Sequence, residues 1–378
     1  MSRRVLFVDH ADWMGGAEQN LLLLMAHLDR RRFEPVLAAA PASPLARAAR
    51  ELGIEVQEVP LARLRGRRSP DLLPAWWKGV TALHHLLRQG RFDILHSNTQ
   101  RASLYAAPAA RLAGVPLVWH VHDIHVGEPL YCRLMSRCST AIVAISSAVA
   151  APLPAGARRK LFLIPNGIDV DRFRPDAPAR RRLRAAMNVP EEALLLGNAG
   201  WIAPWKQVEL FLEVARRIAP ALPEAHCWVI GDIPDARYAG YLAGLQEQAR
   251  RHLGDRCRFL GAREDMPAVM AALDILVHTA RAEPFGRVLM EAMAAGVPVV
   301  AFADGGVPDV VRDGETGILI PPGDVERMAR AVQELGADAE RRRRMGQAGR
   351  AHVASHFSAE AVARQMEQVY ERVLAGRR

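Results

Sequence analysis

The sequence predicts an α/β protein made of two doubly wound, Rossmann-like halves, and three observations predict it. Short β-branched or apolar runs alternate with longer helical patterns, the signature of βαβ units on a parallel sheet. The alternation breaks once, near the middle, and then starts afresh. The chain has 378 residues, 50% hydrophobic and 24% charged, which is enough for two cores rather than one.

Taken in order, the first half opens with the strand RVLFVDH, the helix GGAEQNLLLLMAHL, the strand EPVLAAA, the helix SPLARAARELG and the strand IEVQEVP. It continues through FDILHSN, the helix QRASLYAAPAARLAG, the strands PLVWHVH and TAIVAIS, and closes on LFLIPNGID. Residues 166–182, rich in Pro, Asp and Arg, read as a linker. The second half runs LLLGNAGW, the helix KQVELFLEVARRIAPAL, the strand HCWVIGD, the helix YLAGLQEQARRHL, the strands CRFLGA and ILVHTA, the helix RVLMEAMAAG and the strand VPVVAFA. From Asp324 onward the pattern is almost wholly helical. The last helix carries Ala361, Val362, Met366, Val369, Val373 and Leu374 as an apolar stripe that needs burial. The second half already has its helices, so this one is expected to return to the first. The expected domains are therefore 1–167, completed by 357–378, and 168–356.

The net charge is +9, and all of the excess lies early: residues 1–165 hold 21 Lys+Arg against 12 Asp+Glu, while 166–378 hold 29 against 29. A basic first half suits an anionic partner, whether nucleic acid, acidic lipid or a phosphorylated substrate, and equally an arginine-rich coding bias with no partner at all. Within it, residues 61–89 place basic residues before paired tryptophans and an amphipathic stripe, which suits peripheral contact with an anionic membrane as well as simple coverage of a sheet. No apolar window is long enough to span a bilayer. The first apolar run is too short for a signal peptide, and the four cysteines lack disulfide or metal-site spacing. Together these suggest a cytoplasmic protein, peripheral at most; no nucleic-acid partner is expected.

Ligands of open parallel sheets bind beyond the carboxyl ends of the strands. After the first strand, Gly15-Gly16-Ala17-Glu18 leads into a helix whose N–H groups could meet an anion. It is not G-x-G-x-x-G, which argues against a dinucleotide enzyme. PLVWHVH ends in His120-Val121-His122-Asp123-Ile124-His125, with His120 and His122 on one strand face. The cluster is out of step with metallo-hydrolase spacing, so no metal site is expected. In the second half Lys206, following Gly200 and Trp201, sits before a helix N-terminus, where its charge opposes the dipole and calls for an anionic partner. In Glu283-Pro284-Phe285-Gly286-Arg287-Val288-Leu289-Met290-Glu291, a tight turn opens a helix, with Glu283 expected in a solvent-facing turn and Glu291 one turn inside. Asp169 and Asp171, a D-x-D pair, are expected to serve a turn rather than a metal.

These segments resemble the large retaining glycosyltransferase family of the GT-B architecture, two Rossmann-like domains facing each other across a cleft. The resemblance runs through GGAE, WHVHD, IPNGIDVDRF, GWIAPWK, VIGD, RFLGA, EPFGRVLMEAMAAGVPVVA and DGETGILIPPGD, nearly the whole chain. It implies transfer of a hexose from a UDP- or GDP-linked donor to a hydroxyl of a saccharide or lipid-linked acceptor, with retention, no metal and no cofactor. It also implies that Glu283 holds the donor sugar, Glu291 the ribose and Lys206 the diphosphate. His122 would face the reacting sugar. Gly15, Gly16, Gly200, Trp201, Gly231, Ala262, Arg263, Pro284, Phe285, Gly286, Val288 and Leu289 would line the donor site, with His120 and Asn98 on the acceptor side. Two positions depart from the pattern. Trp201 stands where the family commonly has an arginine, and some relatives place the key histidine at the position of His120, which leaves the choice between His120 and His122 open. A sugar-nucleotide epimerase and a catalytically inactive scaffold or sugar-binding subunit are the alternatives on the same fold.

Overall fold

The computed structural model describes residues 2–41, 43–62 and 72–376, and these divide into two units, 1–167 with 359–378 and 168–358. The first unit holds seven parallel strands: β1 (Arg3–Asp9), β2 (Phe33–Ala39), β3 (Glu55–Glu58), β4 (Ile94–Ser97), β5 (Leu117–Val121), β6 (Ala141–Ala144) and β7 (Leu161–Leu163). Their spatial order is β3-β2-β1-β4-β5-β6-β7. Helices α1 (Gly16–His27), α2 (Pro44–Glu51), α3 (Leu72–Gln89), α4 (Gln100–Ala113), α5 (Pro129–Cys138) and α6 (Ser147–Ala150) connect them. β1, β4 and β5 are buried along almost their whole length, as strands covered on both faces must be.

The second unit repeats the plan. After α7 (Ala177–Ala186) come β8 (Leu195–Ala199), α8 (Val208–Ile218), β9 (His226–Ile230), α9 (Ala239–Leu253) and β10 (Cys257–Phe259). Then follow α10 (Met266–Ala272), β11 (Ile275–His278), α11 (Arg287–Ala294), β12 (Val299–Phe302), α12 (Val307–Val310) and β13 (Gly317–Ile320). The order β10-β9-β8-β11-β12-β13 reverses direction between β8 and β11, as the first sheet's does between β1 and β4. Helices α13 (Val325–Ala337) and α14 (Ala339–His356) complete this unit. Fully buried Arg184 on α7 donates to the carbonyls of Ala193 and Ala272 and pairs with Asp274 at 2.5 Å, pinning the approach to β11.

The chain finishes on α15 (Ala359–Ala375), whose Val362, Met366, Val369, Tyr370 and Val373 enter the core of the first unit beside Phe7 and Phe33. Its Glu367 is buried and accepts from the backbone N–H of Asp29 and from the Arg32 guanidinium.

One expectation changes. The linker is shorter than its composition suggested, because Asp176 caps α7 by accepting from the Ala179 N–H at 2.8 Å, and a proline in the first helical turn costs no hydrogen bond. In the 61–89 segment, α3 buries Gly79, Val80, Leu83 and Leu87, and the Trp76 indole donates to the Leu104 carbonyl, while Leu73 and Trp77 stay exposed. The basic stretch at 63–71 lies outside the described residues. No described helix is long and apolar enough to cross a membrane.

Candidate functional site

Each sheet gathers its chemistry where its strand order reverses, the place where strand ends part and a crevice opens. In the second unit β8 ends at Ala199, and Gly200 follows at φ 142. Only glycine fits there without strain, and Gly231, φ 133, must also lack a Cβ, which would fall 1.8 Å from the Gly200 carbonyl oxygen. The turn Pro204–Lys206 then presents Lys206 just before α8. Thr279, immediately after β11, donates its hydroxyl to the carbonyls of Lys206 and Gln207 at 3.1 and 2.9 Å, so two strand ends hold this turn.

Lys206 Nζ lies 2.5 Å from Glu283 Oε2, and His278 Nε2 at the end of β11 lies 3.3 Å from the same oxygen. Glu283 is therefore a buried carboxylate, 8% exposed, and not the solvent-facing residue expected from the sequence. Burial alone would raise its pKa, but the Lys206 ammonium and the His278 imidazole outweigh that and hold it well below the usual carboxylate range. The anionic partner that the position of Lys206 called for is thus Glu283 of the same unit. The Glu283 carbonyl accepts from the Gly306 N–H at 2.7 Å, and a Cβ on Gly305 would fall 2.1 Å from that carbonyl oxygen. The double glycine after β12 lets this loop close on Glu283. Gly286, φ 90, caps α11, and Glu291 sits buried one turn in, 3.4 Å from the Arg287 guanidinium.

The remaining expected donor residues of this unit separate into backbone and surface positions. The side chains of Phe285 and Leu289 point into the core, so only their main chain can meet a ligand, while Pro284 and Val288 are half-buried. Trp201 is 45% exposed. Ala262 is exposed, and Arg263 is engaged with Asp265 at 2.6 Å. Asp169 accepts from the N–H groups of Asp171 and Arg172, the geometry of a turn.

In the first unit the reversal point is built from hydrogen bonds rather than an ion pair. Asp9 closes β1, Asn98 follows β4 and His122 follows β5. Asn98 Nδ2 donates to Asp9 Oδ2 at 2.8 Å and to the Ala17 carbonyl at 3.4 Å. The Ala17 oxygen can only accept, which orients the amide, so Asn98 Oδ1 must face His122 Nε2 at 2.9 Å. His122 consequently carries its proton on Nε2. His120 stacks against it, ring centroids 4.1 Å apart, but is 2% exposed and bonded to His96, which in turn meets the Tyr370 hydroxyl of α15 at 2.8 Å. Burial drives the pKa of His96 down to about 3 and that of His120 well below its ordinary value. Both are neutral core residues, and His122 is the member of the row nearest solvent.

Gly15 caps α1, and its N–H donates to Glu18 Oε2 at 2.9 Å, the glutamate half of a capping box. One of the N–H groups expected to meet an anion is therefore already used, with exposed Gly16 beside it. Burial raises Asp9 to about 6, and burial plus the nearby Asp9 charge raises Glu18 to about 7. Asp9, His96, Tyr370, His278 and Gly305 were not singled out from the sequence. Asp9 and His278 close FVD and ILVH, and strand-end position alone could have found them. No group of three His, Cys, Asp or Glu side chains suited to a metal ion occurs among the described residues.

Two family profiles match the chain: "Glycosyltransferase Family 4" over residues 14–172 and "Glycosyl transferases group 1" over residues 179–352. Among curated proteins, the 2-deoxystreptamine N-acetyl-D-glucosaminyltransferase of Streptomyces fradiae is 31% identical, over 97% of this chain and 92% of its own. The D-inositol 3-phosphate glycosyltransferase of Streptomyces scabiei is 30% identical, over 80% and 74%. Among solved structures, Anabaena HepE in complex with UDP and glucose superposes with a TM-score of 0.83 at 26% identity, over 97% of this chain and 99% of that one. With two parallel Rossmann-like sheets, matches to both halves and relatives along most of its length, the chain belongs to the group 1 glycosyltransferases of the GT-B fold class.

Proposed function

We propose that this glycosyltransferase moves a hexose from a nucleoside diphosphate sugar, UDP- or GDP-linked, to a hydroxyl of a saccharide or lipid-linked acceptor, with retention at the anomeric carbon. The observation that carries the reading is the Lys206–Glu283 pair at the reversal point of the second sheet, its carboxylate buried and its lysine half-buried, where glycines let the surrounding backbone close on the pair. In the reaction the bond from the sugar's anomeric carbon to the diphosphate breaks, with its electrons going to the phosphate oxygen. A bond to the acceptor oxygen forms, and the hydroxyl proton is released.

Charge therefore builds on the leaving diphosphate. Lys206 keeps two of its three N–H donors for it while the third holds Glu283, and main-chain groups at the start of α11 add to this stabilisation. Glu283 has Oε2 committed to Lys206 and His278, which leaves Oε1 for a sugar hydroxyl, and Glu291 is assigned to the ribose hydroxyls. His122 is assigned to the reacting sugar, with Asn98 and Asp9 fixing its tautomer; His120, locked to His96, supports it from the core. With a lysine and helix amides to meet the phosphates, no metal is assigned. The named relatives, both transferases, favour this reading over the epimerase, and the presence of Lys206, Glu283 and Glu291 together favours it over an inactive scaffold.

A panel of sugar nucleotides tests it. One UDP- or GDP-hexose should raise the melting temperature and release its nucleoside diphosphate in the presence of acceptor sugars, unaffected by EDTA, with an axial or equatorial product linkage matching that of the donor by NMR. Conversion of a sugar nucleotide to its epimer without acceptor would overturn the proposal, as would activity lost to EDTA and restored by Mn²⁺ for its metal-free part.

A further inference from the structure

The parallel strands of the first unit have a second end, and a cavity of about 650 Å³ opens there, beside the starts of β5 and β6. It is lined by Arg111, Arg137, Arg159, Lys160 and Arg372, and among the described residues no carboxylate lines it. The four arginines are exposed and make no ion pair among the described residues; Arg372 lies over the ring of Phe162, 5.5 Å from its centroid. β5 alone separates this place from His122 by five residues, roughly 16 Å of extended chain, so the cavity is distinct from the reversal-point site.

Three helices end here, α4, α5 and α15, and Arg111, Arg137 and Arg372 lie in their last turns. A cation at a helix C-terminus stabilises the helix, so local structure accounts for one arginine per helix. It does not account for the sum. Three C-termini carry about −0.5 charge each, roughly −1.5 together, against five cations on one wall. More than three positive charges remain facing a concave space of ligand size, and the basic excess of the first half of the sequence is concentrated in part here.

We propose that this cavity is a binding site for a phosphate-bearing polyanion, separate from the donor site. Four guanidinium forks suit several phosphate oxygens at once, because each can donate two parallel N–H bonds. Lys160, which donates to the Ser139 carbonyl at 2.7 Å, is held in place as a further charge at the cavity wall. The same chemistry is offered by a soluble oligophosphate and by the headgroups of an anionic bilayer.

Calorimetric titration of sodium tripolyphosphate into the whole protein, compared with the Arg137→Ala/Arg159→Ala double variant, tests the site. Any binding of the probe at the donor site is common to both proteins and cancels in the comparison. The expected result is a salt-sensitive affinity that falls at least tenfold in the double variant and is only partly restored in Arg137→Lys/Arg159→Lys, which keeps the charge without the fork, with circular dichroism unchanged in all three. In a second arm the same proteins are sedimented with vesicles of phosphatidylglycerol or of phosphatidylcholine. Pelleting with phosphatidylglycerol alone, lost in the alanine variant, identifies the bilayer as the source of the phosphates. Tripolyphosphate binding that depends on the arginines without such pelleting identifies a soluble ligand. Equal isotherms and equal pelleting for wild type and alanine variant overturn the proposal.

Discussion

The two sheet reversal points occupy the same topological position and are built from opposite electrostatics. In the second unit a half-buried lysine and a buried glutamate form an ion pair, and Glu283 is held ionised by Lys206 and His278. In the first, no described cation balances Asp9 and Glu18 in this way; burial pushes both carboxyls towards neutrality, and the row of histidines beside them is uncharged at its buried end. One fold thus offers a site held as a formed ion pair and another whose carboxyls titrate close to neutral pH. The difference follows from what each strand end meets: β8 and β11 face a lysine turn, whereas β1 meets the amide of Asn98 and its own helix cap.

Breaking the charged site has the largest expected effect. Glu283→Gln removes the charge but not the shape, and turnover is expected to fall by about 10²–10³-fold, measured as kcat/KM with the donor identified by the panel. Turnover within a few-fold of wild type would mean that the pair is structural. His122→Ala comes next, at about 10²-fold in kcat, while Asn98→Ala, which frees the imidazole to change tautomer, costs about tenfold and leaves nucleoside diphosphate affinity alone. A larger loss of affinity than of kcat in Asn98→Ala would show that the first unit contributes to donor binding instead. Lys206→Ala is expected to weaken nucleoside diphosphate binding by about 1.5–3 kcal/mol in calorimetry, a charge-assisted contact.

The smallest effect sharpens the comparison most directly, because the two sites impose opposite pH slopes on stability. Glu283 has a depressed folded pKa, so its contribution is complete above the ordinary carboxylate value of 4.5 and is lost as pH falls below it. Asp9 has a raised one, so its contribution is complete below its ordinary 3.8 and is lost as pH rises through about 6, with Glu18 following from 4.5 through about 7. Asp9→Asn should therefore melt above wild type at pH 8 and level with it at pH 4. Glu283→Gln should narrow the gap to wild type as pH drops from 6 to 4. Hydrogen exchange on peptides of β1 and β11 can follow each unit separately, and parallel slopes in both would contradict the contrast.

By itself the sequence determined the alternation of strands and helices, the break near residue 167 and the strand-end positions of Lys206, Glu283, His120 and His122, because apolar period and turn chemistry are local properties written in consecutive residues. The apolar stripe of α15 showed that the helix needed burial, and the same period could be read without contacts. Only the tertiary structure decided that Glu283 is buried, since its partners are Lys206, 77 residues earlier, and the glycine loop of residues 305–306. It alone separated His120 from His122: they share a strand face, and what distinguishes them is Asn98 beside one and His96 with Tyr370, 274 residues beyond it, behind the other. The basic cavity was invisible for the same reason. Its arginines stand at the ends of helices spread from residue 111 to residue 372, each ordinary in its own helix, and their charges sum only where a parallel sheet gathers the helix C-termini at one edge.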